Sequence, residues 1–136
     1  MIARPGAPLL GLAALALLAV ACGDASASTH ATVAVHYSRF TPELITASAG
    51  EQITITLRND DPIEHEWIAG APDVHERHRT GTEPFHDQVP TEVTIPAFST
   101  RVTTLTFEEP GDYLYICHLP GHEAYGMVGT LRVVEG

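Results

Sequence analysis

From Val33 onward, apolar and polar residues alternate in short runs. Val33, Val35 and Tyr37 alternate with Ala34, His36 and Ser38, and Ile53, Ile55 and Leu57 alternate with three polar positions. A period of two puts each apolar set on one face of a strand. His65 to Ala69 reads as a further strand in which His65 and Trp67 share a face. Glu92 to Ile95, Arg101 to Phe107, Tyr113 to Cys117 and Gly129 to Val134 continue the pattern. Turn residues punctuate it at Phe40-Thr41-Pro42, Ala49-Gly50-Glu51, Asn59-Asp60-Asp61-Pro62, Pro96-Ala97-Phe98-Ser99 and Pro110-Gly111-Asp112. Many short strands between turns predict an all-β sandwich or barrel. Gly70 to Pro90 lacks the alternation. It is expected to be a long excursion with one helical turn at Asp73 to Arg79.

The first segment follows different rules. Met1 to Pro8 carry one positive charge, Arg4, and Leu9 to Ala21 is an apolar run that ends at Cys22-Gly23. A charged start and an apolar stretch too short for a comfortable membrane span read as an export signal. The expected organisation is a signal peptide at 1–21, a flexible tether of small polar residues at 22–31, and one folded domain at 32–136. Val20-Ala21-Cys22 resembles a bacterial lipobox, although Ala19 stands where Leu is usual. A lipid on Cys22 would be the chain's link to a membrane.

The sequence of 136 residues has 17 acidic and 7 basic side chains, a formal net charge of −10. Every basic residue other than histidine is Arg. An anionic surface argues against nucleic acid and anionic bilayers as partners, and is compatible with steering toward a basic redox protein. With Cys22 lipidated or removed, Cys117 has no disulfide partner within the mature chain.

Cys117 lies in the run Tyr115-Ile116-Cys117-His118-Leu119-Pro120-Gly121-His122-Glu123-Ala124-Tyr125-Gly126-Met127. A thiolate, an imidazole and a thioether on one short loop select copper. Two His and one Cys with a weak axial Met form the blue-copper electron-transfer set. Successive donors five residues apart could stand about 17 Å apart in an extended chain, so convergence requires the loop to fold back. Pro120 and Gly121 provide the turn. The second histidine must come from upstream, and His65 is the candidate. The expected metal ligands are therefore His65, Cys117, His122 and Met127, holding one copper.

This loop resembles that of the cupredoxins, the small blue copper proteins that include plastocyanin, azurin and rusticyanin. The match is Cys117-x-x-Pro120-Gly121-His122-x-x-x-Gly126-Met127, supported upstream by Phe40-Thr41-Pro42, Ala49-Gly50-Glu51 and Asn59 followed by His65. The resemblance covers residues 32–134. It implies an eight-stranded Greek-key sandwich with copper near one end, and shuttling of single electrons. It also implies a His122 edge near the surface, flanked by Leu119, Pro120 and Ala124. Many cupredoxins carry Asn directly after the first His ligand; here that position is Glu66.

The remaining histidines are weaker signals. His118 beside Cys117 resembles the loop of multicopper oxidases. Ile116 replaces the first histidine of that pattern, so His118 is expected near the surface or behind the ligands. His75, His78 and His86 could form a second metal site, but their spacing is not a sharp ligand pattern and a solvated loop is the expectation. His30 and His36 read as tether and exposed strand. No third group orients Cys117 as a nucleophile, so the chain is not expected to be an enzyme. The sequence points to a monomeric, exported electron carrier with a redox protein as partner. Copper delivery without electron transfer, and service as electron acceptor for a copper oxidase or reductase, remain as alternatives.

Overall fold

The alternating runs pair into two sheets in a computed structural model that describes residues 27–82 and 89–136. The strands are β1 (His30–Val35), β2 (Phe40–Thr41), β3 (Leu44–Ser48), β4 (Gln52–Asn59), β5 (His65–Gly70), β6 (Glu92–Ile95), β7 (Thr100–Thr106), β8 (Gly111–Ile116) and β9 (Val128–Val134), with one helix, α1 (Pro72–Thr80). One sheet has the order β2-β1-β4-β7 and the other β3-β9-β8-β5-β6. The architecture is an all-β sandwich. The signal segment, Cys22 and His86 lie outside the described residues.

The period of two accounts for the core. Val33 and Val35 of β1 and Ile53, Ile55 and Leu57 of β4 meet Trp67 of β5, Tyr115 of β8 and Leu131 and Val133 of β9 in one buried cluster. Burying each such side chain contributes about 1.5–3 kcal/mol. The polar residue that continues the inward face of β4 is Asn59. Its Nδ2 lies 2.8–3.0 Å from the carbonyls of Ile63, Ile95 and Pro96, and its Oδ1 accepts the Asp61 N–H at 2.9 Å. Asn59 thereby fixes the short connection that leads into His65.

Three local readings change. β1 begins at His30, so His30 and Ala31, which composition assigns to the tether, are strand. β1 also ends at Val35, short of the alternation that runs on to Tyr37. Tyr37 and Ser38 turn the chain with φ of 52° and 53°, and Tyr37 is 83% exposed. Both donate their N–H to the Asp61 carboxylate at 2.7 Å. These two charge-assisted bonds outweigh a strand continuation that alternation alone would favour. The helix is longer than the single turn expected. Pro72 opens it, Asp73 sits in its first turn, and Arg77, His78 and Arg79 sit in its last. Gly81 closes it with φ 67°, its N–H directed at the Arg77 and His78 carbonyls. Each of these is a favourable end condition for a helix.

Candidate metal centre

The β8–β9 hairpin determines where the sulfur goes. Tyr115 pairs with Gly129 and Ile116 with Val128, so Cys117 and Met127 stand at the two mouths of the connecting loop. The Cys117 N–H donates to the Met127 carbonyl at 3.2 Å. Inside the loop, N–H groups of His122, Tyr125, Gly126 and Met127 donate to carbonyls of Leu119, Gly121, Glu123 and His122 at 2.9–3.0 Å. The loop folds back as the donor spacing requires. Cys117 and Met127 are buried, and His122 is half-buried. His65 opens β5 from the opposite side and is fully buried.

These elements bring three donor atoms together. His65 Nδ1 and His122 Nδ1 are 3.3 Å apart, and Cys117 Sγ is 3.3 Å from His122 Nδ1. All three donors lie within 4.8 Å of one another. Among the described residues, no other group of three His, Cys, Asp or Glu side chains converges in this way. Donors held about 2.0–2.3 Å from a common ion stand roughly 3.3–3.8 Å apart, so the pocket has the dimensions of a metal site. Two imidazoles and a thiol suit copper better than calcium or magnesium, which take oxygen ligands. Met127 ends the same loop with its side chain buried in the core.

Burial pushes the Cys117 thiol pKa up, while the N–H groups of Glu66 and Leu119 pull it partly back. Without a metal the group stays a thiol; a bound cation would replace its proton. The Glu66 N–H donates to Cys117 Sγ at 3.3 Å. This bond comes from the backbone, so Glu66 supplies it in spite of lacking the amide side chain common at that position in the family it resembles. Burial also lowers the His65 pKa, against the opposing pull of Asp61. Asp61 Oδ2 lies 3.0 Å from His65 Nε2.

Two histidines of the excursion, His75 and His78, are not solvated. His75 is 1% exposed, and the His78 side chain is equally buried. The His118 side chain is 5% exposed, so it is not a surface residue. His75 Nε2–H donates to the Leu114 carbonyl at 3.2 Å, which leaves His75 Nδ1 to accept from His118 Nε2–H at 3.0 Å. His78 stacks on His118 with ring centroids 5.2 Å apart, and its Nδ1–H donates to the Val74 carbonyl at 2.8 Å. Arg79 clasps Glu123 at 2.6 Å. Helix periodicity explains the change: on nine residues of helix, His75, His78 and Arg79 share the face that covers the Cys117–His122 loop. The imidazoles wedge α1 against that loop, and His75 and His78 join no metal group among the described residues. His86 lies outside them.

This wedge has a pH consequence. Burial lowers the His75 pKa below its usual 6.5, and burial with the nearby His75 pushes His118 down to about 4. The unfolded chain therefore binds more protons between those values, and stability is lost as pH falls from 6.5 toward 4. The metal-free chain is expected to melt several degrees lower at pH 5 than at pH 7.5. His75→Gln should flatten that dependence, as thermal melts across the range will register.

Asp61, beside His65, and Glu123, clasped by Arg79, are the side chains around the site that sequence reasoning misses. Both lie in turn-like, polar runs; Asp61 is nevertheless buried and Glu123 half-buried. For Asp61 a usable signal exists: it is four residues before His65. The half-buried Leu119 packs on the core, whereas Pro120, Ala124 and Tyr125 are exposed beside His122.

Comparison with known proteins bears on this geometry. The family model described as a cupredoxin-like domain matches residues 9–131. The copper-resistant cuproprotein CopI of Rubrivivax gelatinosus is 32% identical over 117 residues, which cover 82% of this chain and 70% of CopI. Among solved structures, dithionite-reduced auracyanin from Roseiflexus castenholzii superposes with a TM-score of 0.69 at 22% identity, over 80% of this chain and 99% of that one. Auracyanin A, a blue copper protein from Chloroflexus aurantiacus, gives 0.61 at 23% identity, over 77% and 98%.

Proposed function

The chain belongs to the cupredoxin-like family, and from that premise we propose that it is a one-electron carrier with a single type 1 copper held by His65, Cys117, His122 and Met127. The observation that carries this reading is the convergence of two Nδ1 atoms and one Sγ within 4.8 Å at one end of the sandwich. Copper supplies a one-electron couple, Cu(I)/Cu(II). The chain supplies the rest. β5 and the β8–β9 hairpin hold donors from distant parts of the sequence in one arrangement, and His65 and Cys117 are shielded from water. The Glu66 N–H bonds the sulfur and restrains it. Met127 would offer the copper a weak thioether donor that adjusts the potential.

His122, half-buried with Pro120, Ala124 and Tyr125 exposed around it, offers an edge for electron exchange. The net charge of −10 favours a basic redox protein as partner. The test is a Cu(II) titration of the purified chain. One copper per chain, an intense blue band and the narrow copper hyperfine splitting of a type 1 site are expected. A weakly coloured tetragonal spectrum would overturn the assignment.

The site of action is proposed to be the cell envelope. The Leu9–Ala21 run and Cys22 support export with a lipid on Cys22. No helix among the described residues is long and apolar enough to cross a membrane. Labelled fatty acid fed to expressing cells should enter the wild-type chain and not Cys22→Ser; equal labelling, or none in either, removes the anchor.

The likeness to a copper-resistant cuproprotein favours a second reading, copper handling without electron transfer. Ready transfer of Cu(I) to an acceptor together with slow electron self-exchange would select it.

A further inference from the structure

Asp61 is 5% exposed, yet it gathers polar groups from four parts of the chain. Oδ1 accepts the Tyr37 N–H and lies 3.6 Å from His36 Nδ1. Oδ2 accepts the Ser38 N–H and lies 3.0 Å from His65 Nε2. Its own N–H donates to Asn59 Oδ1, and its carbonyl accepts the Phe98 N–H at 3.1 Å. Each carboxyl oxygen accepts a backbone N–H, Oδ1 from Tyr37 and Oδ2 from Ser38, the arrangement of an ionised carboxylate.

A carboxylate only accepts hydrogen bonds. The contact with His65 therefore requires the ring proton on Nε2, which leaves Nδ1 as a lone pair. That lone pair is the atom facing His122 Nδ1 and the Cys117 sulfur. A role as anchor for the Tyr37–Ser38 turn accounts for the two backbone bonds. It does not account for the contact with His65, whose Nε2 meets the same Oδ2 that accepts the Ser38 N–H.

We propose that Asp61 is a positioning residue of the metal centre: it fixes the tautomer and orientation of His65, and its negative charge, acting through the imidazole, favours the more highly charged state of the metal and lowers the reduction potential. A partner on the outer nitrogen of a ligating histidine orients the ring and raises its basicity. The effect on the potential rests on the copper reading above; the tautomer is a property of the copper-free chain and does not.

The test has two arms on the full chain. Long-range nitrogen–proton correlation spectra of the copper-free wild type, with His65 assigned by its loss in His65→Gln, should show a neutral Nε2–H tautomer. An Nδ1–H tautomer overturns the proposal. In Asp61→Asn, which keeps size and one acceptor oxygen but no charge, the blue band should remain. Copper affinity should fall about 10- to 100-fold and the potential should rise. A lower melting temperature with affinity and potential unchanged would reduce Asp61 to a turn anchor. A wild type without the blue band removes the copper reading, whereas the band together with the wrong tautomer removes this proposal alone.

Discussion

Cys117→Ser is expected to abolish the intense visible absorption of the copper-loaded chain while leaving the copper-free fold almost intact. The colour arises from charge transfer between a thiolate and copper, and Cys117 is the one cysteine among the described residues. Serine has nearly the same volume, and its hydroxyl can still accept the Glu66 N–H that now meets Sγ. The copper-free variant should therefore stay within about 1 kcal/mol of wild type in a urea melt, the scale of one exchanged hydrogen bond. Copper binding should respond very differently. Loss of an outer partner of a ligand costs about 10–100-fold in affinity, and loss of the ligand itself should exceed that range. Competition with a copper chelator, read beside the spectrum, separates the two effects. A variant that keeps both colour and affinity would remove Cys117 from the site.

The ligand loop is legible in the sequence because its constraint is local. Cys117, His122 and Met127 are close in the chain, Pro120 and Gly121 mark the reversal, and soft donors at such spacing have few other uses. His65 is legible for a different reason. Its phase in the alternation beside Trp67 predicts an inward side chain, and both are buried. The strands follow in the same way, since period two is a property of neighbours in sequence. What stays hidden depends on contacts between distant segments. Tyr37 looks like the third inward residue of β1, but a carboxylate 24 positions away turns the chain there. His118, His75 and His78 look like polar residues of a loop until α1 docks on the Cys117 loop and shuts out water. Asp61 looks like a turn residue because its burial depends on three loops meeting around it. The converging side chains His65, Cys117 and His122 can be read without the fold, whereas the groups packed around them cannot.

Gly129→Ala is expected to be among the most destabilising single substitutions in the domain. A Cβ at this position would lie 2.1 Å from Tyr115 Cζ and 2.4 Å from its hydroxyl oxygen, far inside contact distance. Tyr115 cannot easily move aside. It is fully buried, packs 5.2 Å from Phe40 and 5.8 Å from Trp67, and its hydroxyl donates to the Pro42 carbonyl at 2.6 Å. Residues 115 and 129 are cross-strand partners, one step from the Ile116–Val128 pair that opens onto the Cys117–Met127 loop. Overpacking in a core costs about 1–3 kcal/mol and occasionally more, and a clash with a ring held on several sides belongs at or above the top of that range. Any shift of the hairpin that relieves the clash also moves Cys117 against His65, so copper affinity should fall together with stability. The cause can be isolated in a double-mutant cycle. In a Tyr115→Leu background the ring is gone, and adding Gly129→Ala should cost less than about 1 kcal/mol in urea unfolding, a coupling typical of residues in direct contact. Equal penalties in the two backgrounds would show that Gly129 is needed for its backbone and not for the space it leaves to Tyr115.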